Sequence, residues 1–128
     1  MIDMSVKDMT DQQLNRALAE LMGYSVKISR NFHYLILKGD SKSGPKWTED
    51  MAWEEAPNYC ADPAVSLEVQ AAAINKDEEG YIRNWLLNKY GKSVMAYTAV
   101  SLGTAAEIAN SSPRERAEAA YMTLSSQD

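Results

Sequence analysis

Leu14, Leu18, Leu21 and Met22 recur at helical spacing, three or four residues apart. Thr10-Asp11-Gln12-Gln13 ahead of them has the form of a capping box, and Gly23 behind them supplies a left-handed stop. The spacing predicts a helix over about 11–22. From Tyr24 to Arg30 apolar and polar residues alternate strictly, with Tyr24, Val26 and Ile28 on one face of a half-buried strand. His33 to Lys38 is a second strand, and Arg30-Asn31-Phe32 is short enough to close a hairpin.

Gly39 to Lys46 holds two Gly, two Ser and one Pro and is expected to be a polar loop. Trp47 to Cys60 follows as an irregular aromatic stretch, with Pro57 against continuous helix. Asp62-Pro63 is an N-cap and first-position pair for a helix carrying Val65, Val69, Ala72 and Ala73 on its apolar stripe. Tyr81 to Lys89 fits both periods; Gly80 and Gly91 bracket a strand-length run, which favours strand. Val94 to Val100 reads as a further strand that turns through Ser101-Leu102-Gly103 into Thr104 to Ala109. Ser111-Ser112-Pro113 opens a last helix that buries Ala117, Ala120, Tyr121 and Leu124.

This order predicts an α+β fold: an antiparallel sheet of about four to five strands packed with three helices, at about 11–22, 62–75 and 112–124. No linker or repeat interrupts it. One domain is expected over 1–128, with 1–9 and 125–128 as flexible ends.

Composition narrows the class. The chain has 128 residues, 45% of them hydrophobic and 24% charged, which is ordinary for a globular domain. No window approaches the roughly 20 apolar residues of a membrane span. Asp3 interrupts an N-terminus that lacks the basic and apolar regions of a signal peptide. A single cysteine, Cys60, excludes an internal disulfide and suits a reducing compartment, so a cytoplasmic location is expected. One cysteine and one histidine also leave too few ligands for a protein zinc site.

The net charge of −5 is unevenly spread. Between Tyr24 and Lys46 five basic residues (Lys27, Arg30, Lys38, Lys42, Lys46) face one acid, Asp40. Between Trp47 and Gly80 nine acids face Lys76 alone. An acidic chain with one modest basic segment is poorly suited to duplex nucleic acid, whereas a small anionic ligand needs only a few donors. The plainest account of both runs is a solvated surface.

No phosphate loop, nucleophile elbow or paired-histidine motif is present. His33 has the chemistry of a general base but no partner fixed by sequence, and Cys60 is expected to be a buried small side chain. Glu54-Glu55 and Asp77-Glu78-Glu79 are adjacent acids without calcium-loop spacing. Trp47, Trp53 and Tyr59 lie where backbone is irregular, which suits either core plugs or a stacking surface. Ser111, Ser112 and the first-turn Arg114 and Arg116 are a possible phosphate-capturing helix start, or an ordinary cap.

Leu14 to Tyr24, Trp53 to Tyr59, Asp62 with its helix, and Pro113 to Tyr121 together resemble the phage ABA-sandwich domain family. The resemblance implies an α/β/α layered sandwich, a phage origin and no established enzymatic activity; action in the host bacterial cytosol, without cofactor or metal, is expected. The expectation that follows is a non-enzymatic accessory protein that sequesters a nucleotide immune signal. Its expected ligand contacts are Arg30, His33, Lys38, Trp47, Trp53, Arg114 and Arg116. A homo-oligomer is expected, because subunit interfaces supply the cavity that a small domain lacks. The alternative is an interaction module whose acidic face, 47–80, blocks a host protein, and a hydrolase using carboxylates and His33 is the least favoured reading.

Overall fold

The computed structural model describes residues 5–91 and 101–126. After a single 3-10 turn at Val6–Asp8 come α1 (Asp11–Leu21), β1 (Tyr24–Ser29), β2 (Phe32–Leu37), β3 (Asp40–Ser41), α2 (Glu49–Trp53), α3 (Pro63–Lys76), α4 (Glu78–Tyr90), α5 (Leu102–Ala109) and α6 (Pro113–Leu124). The fold is α+β, with one antiparallel sheet ordered β1-β2-β3.

The three expected helices form as α1, α3 and α6, and their starts show why. Thr10 accepts from the Gln13 amide while Gln13 reaches back to Thr10, and Ser112 and Glu115 make the same reciprocal pair. Asp62 caps α3 with Pro63 in its first turn. The hairpin also forms, closed by Arg30 and Asn31 at φ 52° and 72°. Two successive left-handed residues are what a type I′ turn demands. A second tight turn, Lys38-Gly39 at φ 52° and 86°, leads into β3.

Three expectations are corrected. Residues 81–90 are helical, inside α4, not a strand. Asp77 caps the start through the Gly80 amide, Gly91 stops the end at φ 71°, and Tyr81 and Trp85, four residues apart, are both buried. The alternation in this segment is a by-product of a helical stripe. The sheet has three strands among the described residues, where four to five were expected; the run at 94–100 falls outside them. The stretch after Trp47 contains the short helix α2, capped by Thr48.

Packing divides the molecule about α1. On one side α1 meets α6, which in turn packs against α3 and α4. Ala73, Ala117, Ala119 and Ala120 are fully buried, and their small size lets these helix axes approach closely. Trp85 fills the space beside them, its indole donating to Ser111 at 2.8 Å. On the other side α1 and α2 cover the sheet. Leu35, Val26 and Tyr24 belong to the same core cluster as Leu14, Leu18 and Trp53. The helical layers thus stack beyond α1, and among the described residues the main helix packing on the sheet comes from α1 and α2, on its inner face.

Candidate functional site: the outer face of the sheet

Side chains alternate between the two faces of a strand, and directly paired residues share a face. Val26 pairs with Leu35 and Tyr24 with Leu37, so these define the inner face toward α1 and α2. The outer face carries Phe32, Tyr34 and Ile36 from β2, beside Ser29, Lys27 and Ser25 respectively from β1, and Ser41 from β3. None of the three β2 side chains belongs to the core cluster, and each is half-buried. Lys46 pairs with His33 in an isolated bridge, which sets the next residue, Trp47, beside Phe32. The two rings lie 5.0 Å apart and tilted by 45°, while Trp47 stays 71% exposed.

The cations sort sharply. Arg16 pairs with Glu20, Glu49 and Asp50, Lys46 with Glu55, Arg83 with Glu79, and Lys89 with Glu115. Lys7 and Lys76 donate to backbone carbonyls at the ends of other helices. Among the described residues, the cations with neither a side-chain nor a backbone partner are Lys27, Arg30, Lys38 and Lys42, and all four are exposed on the sheet and its turns. Arg30 and Lys38 sit in left-handed backbone at opposite ends of β2. That conformation costs a non-glycine residue about 1–2 kcal/mol.

The expected ligand contacts divide into two groups. Arg30, Lys38 and Trp47 are exposed on the sheet. His33 shares the strand but belongs to the inner face, and its Nδ1 is buried without a hydrogen bond among the described residues. Trp53 is 7% exposed; the Arg16 guanidinium lies 5.0 Å over its ring and Glu49 accepts from its indole at 3.2 Å. It plugs the core beneath α1. The groove around it is lined by Thr10, Gln12, Gln13, Asp50 and Glu54, and its Arg16 is already neutralised, so an anion gains nothing there.

Arg114 and Arg116 lie on the far side of α1 and are occupied. Arg114 donates to Asp11 and Glu118 at 2.8 Å each, and to the carbonyls of Val6 at 3.0 Å and Met9 at 2.8 Å. A guanidinium has five N–H groups in a fixed fork, and this one ties the N-terminal turn to α6. Arg116 reaches Ser66 at 3.1 Å. The first amides of α6 are closed by the Glu115–Ser112 pair, and Ser111 serves Trp85. The start of α6 is a structural cap, and its one described side-chain donor without a partner, the Arg116 Nε, is buried away from solvent.

The titratable groups of the interior are unsuited to catalysis. Burial, reinforced by the Asp11 carboxylate and opposed by Arg114, pushes the Cys60 thiol up to about 11, so it stays neutral and unreactive. Burial likewise raises Tyr59 and Tyr81, whose phenols stay protonated. Among the described residues no group of three His, Cys, Asp or Glu side chains is placed to hold a metal ion. No described helix is long and apolar enough to cross a membrane.

The acidic stretch is largely spent on structure. Glu49, Asp50, Glu55 and Glu79 pair with local cations, and Asp62 and Asp77 cap helices. That leaves a thin acidic surface for any basic partner.

Sequence reasoning missed Phe32, Tyr34 and Lys27 as members of the outer face. The signal was available: β2 is apolar at every position from His33 neighbours outward, so a strand covered on one side must show rings on the other. The chain matches no family model, no curated protein and no solved structure. The resemblance to the phage family rests on the short stretches that carry it.

Proposed function

We propose that this protein is a non-catalytic binding protein that captures a nucleotide-type anion on the outer face of its three-stranded sheet. The observation that carries this reading is the coincidence of two features. Lys27 lies on the outer face, Arg30 and Lys38 lie in the turns at the two ends of β2, and the exposed Trp47–Phe32 ring pair stands at the Arg30 end of the same strand. A cation alone would suit any anion, and an aromatic surface alone would suit any apolar partner. Their combination fits a ligand with a phosphate and a flat base.

What supports capture without turnover is that no activated nucleophile or base stands on this face among the described residues. The only histidine, His33, belongs to the opposite face, and Cys60 is buried beneath α1 and α6. In the phage setting implied by the sequence resemblance, such capture would deplete a nucleotide signal. Calorimetry against mononucleotides, cyclic nucleotides, short oligonucleotides and inorganic phosphate tests it, with chromatography of the recovered ligand. The expected result is binding of at least one base-bearing ligand tighter than about 100 μM, roughly 5–6 kcal/mol, with the ligand returned intact. Phosphate binding as tightly as every nucleotide, or no binding at all, contradicts the proposal.

A further inference from the structure

Resting on that reading, we infer that the ligand of the outer sheet face is an extended single strand of nucleic acid rather than a mononucleotide. Three relations on this face point the same way.

The rings are spaced for more than one base. Phe32 and Tyr34 are alternate residues of β2, so they stand about 7 Å apart along the strand. Stacked bases in a duplex rise about 3.4 Å. Two neighbouring bases that each rest on one of these rings must therefore separate from one another. Only an unpaired strand presents base faces in this way; in a duplex they are covered by neighbours. Trp47 widens the platform at the Phe32 end.

The cations are also too far apart for one small ligand. Arg30 lies in the turn before β2 and Lys38 in the turn after it, eight residues away. At strand rise this is at most about 26 Å. A mononucleotide phosphate reaches one of these ends, whereas a strand of several nucleotides reaches both and passes Lys27, which pairs across from Tyr34. The serines at positions 25, 29 and 41 flank the β2 row with small side chains.

The electrostatic consequence is modest. With the chain at −5 overall, no long-range field draws the strand in, and recognition depends on short-range contacts. Four phosphate contacts on a single strand give a salt slope of about −3 in log K against log salt, and fewer contacts give less.

The experiment is a length series with the full chain at low salt, read by calorimetry: thymidine monophosphate, oligothymidylates of increasing length, an oligouridylate, and a duplex of matched length. Affinity is expected to rise at least tenfold from the monomer to the tetramer and then level off, with the duplex at least tenfold weaker than the single strand. The oligouridylate arm separates DNA from RNA as the source of the strand. Tyr34→Ala should weaken the tetramer about tenfold and the monomer by less, so that the gain from monomer to tetramer shrinks, with the melting temperature within a few degrees. A monomer that binds as tightly as the tetramer, or a duplex that equals the single strand, overturns this inference while nucleotide capture stands. Binding of none of these probes overturns this inference, and nucleotide capture falls with it only when the mononucleotides and cyclic nucleotides of the wider panel also fail to bind.

Discussion

Trp47 rests against Phe32 at 5.0 Å between ring centroids, yet 71% of its surface remains exposed. A large aromatic side chain in this position adds little to the core and a great deal to a contact surface. Trp47→Ala should therefore leave stability almost unchanged, within about 1 kcal/mol. Each stacked base is worth about 1–3 kcal/mol, so ligand affinity should fall about tenfold or more. Chemical denaturation and calorimetry on the same sample check both halves. A large loss of stability would place Trp47 in the fold instead.

Arg30 occupies the first left-handed position of the β1–β2 turn, where asparagine is preferred. Arg30→Asn is expected to stabilise the fold by about 0.5–1 kcal/mol and to weaken ligand binding with a shallower salt dependence. Urea titration and binding at two salt concentrations measure the trade. Unchanged affinity would remove Arg30 from the ligand surface.

Arg114 makes the opposite case. Its guanidinium joins Asp11, Glu118 and the carbonyls of Val6 and Met9, so it holds the N-terminal turn against α6. Arg114→Ala should cost about 2–3 kcal/mol by leaving the Glu118 carboxylate and two carbonyls unpaired. Ligand affinity, measured where the variant is folded, should be unchanged. Amide exchange of residues 6–9 should accelerate in the variant.

The acid side of the stability curve has a specific contributor. The Ser112 amide holds the Glu115 carboxyl below its ordinary value, burial opposes this, and Lys89 adds to it. A carboxyl lowered in the folded state stabilises the fold above its unfolded value of about 4.5. That contribution fades as the pH falls through the lowered folded value. Glu115→Gln should therefore flatten the decline in stability below about pH 4.5, measured by thermal melts across the acid range. An unchanged acid limb would show that the pair does not contribute.

The hairpin and three helices were legible because each is specified locally. Thr10 with Gln13, and Ser112 with Glu115, are capping boxes within four residues, and Tyr24, Val26 and Ile28 alternate without interruption. Residues 81–90 misled because Tyr81 and Trp85 satisfy both a period of two and a helical turn; Asp77 and Gly91, just outside the run, decide it. Arg30, Lys38 and Trp47 could be read as surface groups from turn and loop chemistry. Arg114 could not, because the carbonyls that occupy it lie more than 100 residues earlier in the chain. Trp53 looked equivalent to Trp47 in sequence, and only the packing of α1 over α2 separates a core plug from an exposed plate.

The most direct measurement of the central claim uses the three indole N–H signals of the chain in a nitrogen–proton spectrum, titrated with a thymidine tetranucleotide. Trp53 donates to Glu49 and Trp85 to Ser111, so both are fixed inside the fold, whereas Trp47 is exposed on the sheet. The Trp47 signal should shift progressively with ligand, together with the amides of Lys27, Arg30, Phe32 and Tyr34, while the Trp53 and Trp85 signals and the amides of Arg114 and Arg116 stay in place. Shifts at Trp53 or at the start of α6, with Trp47 unmoved, would contradict the sheet face as the binding surface.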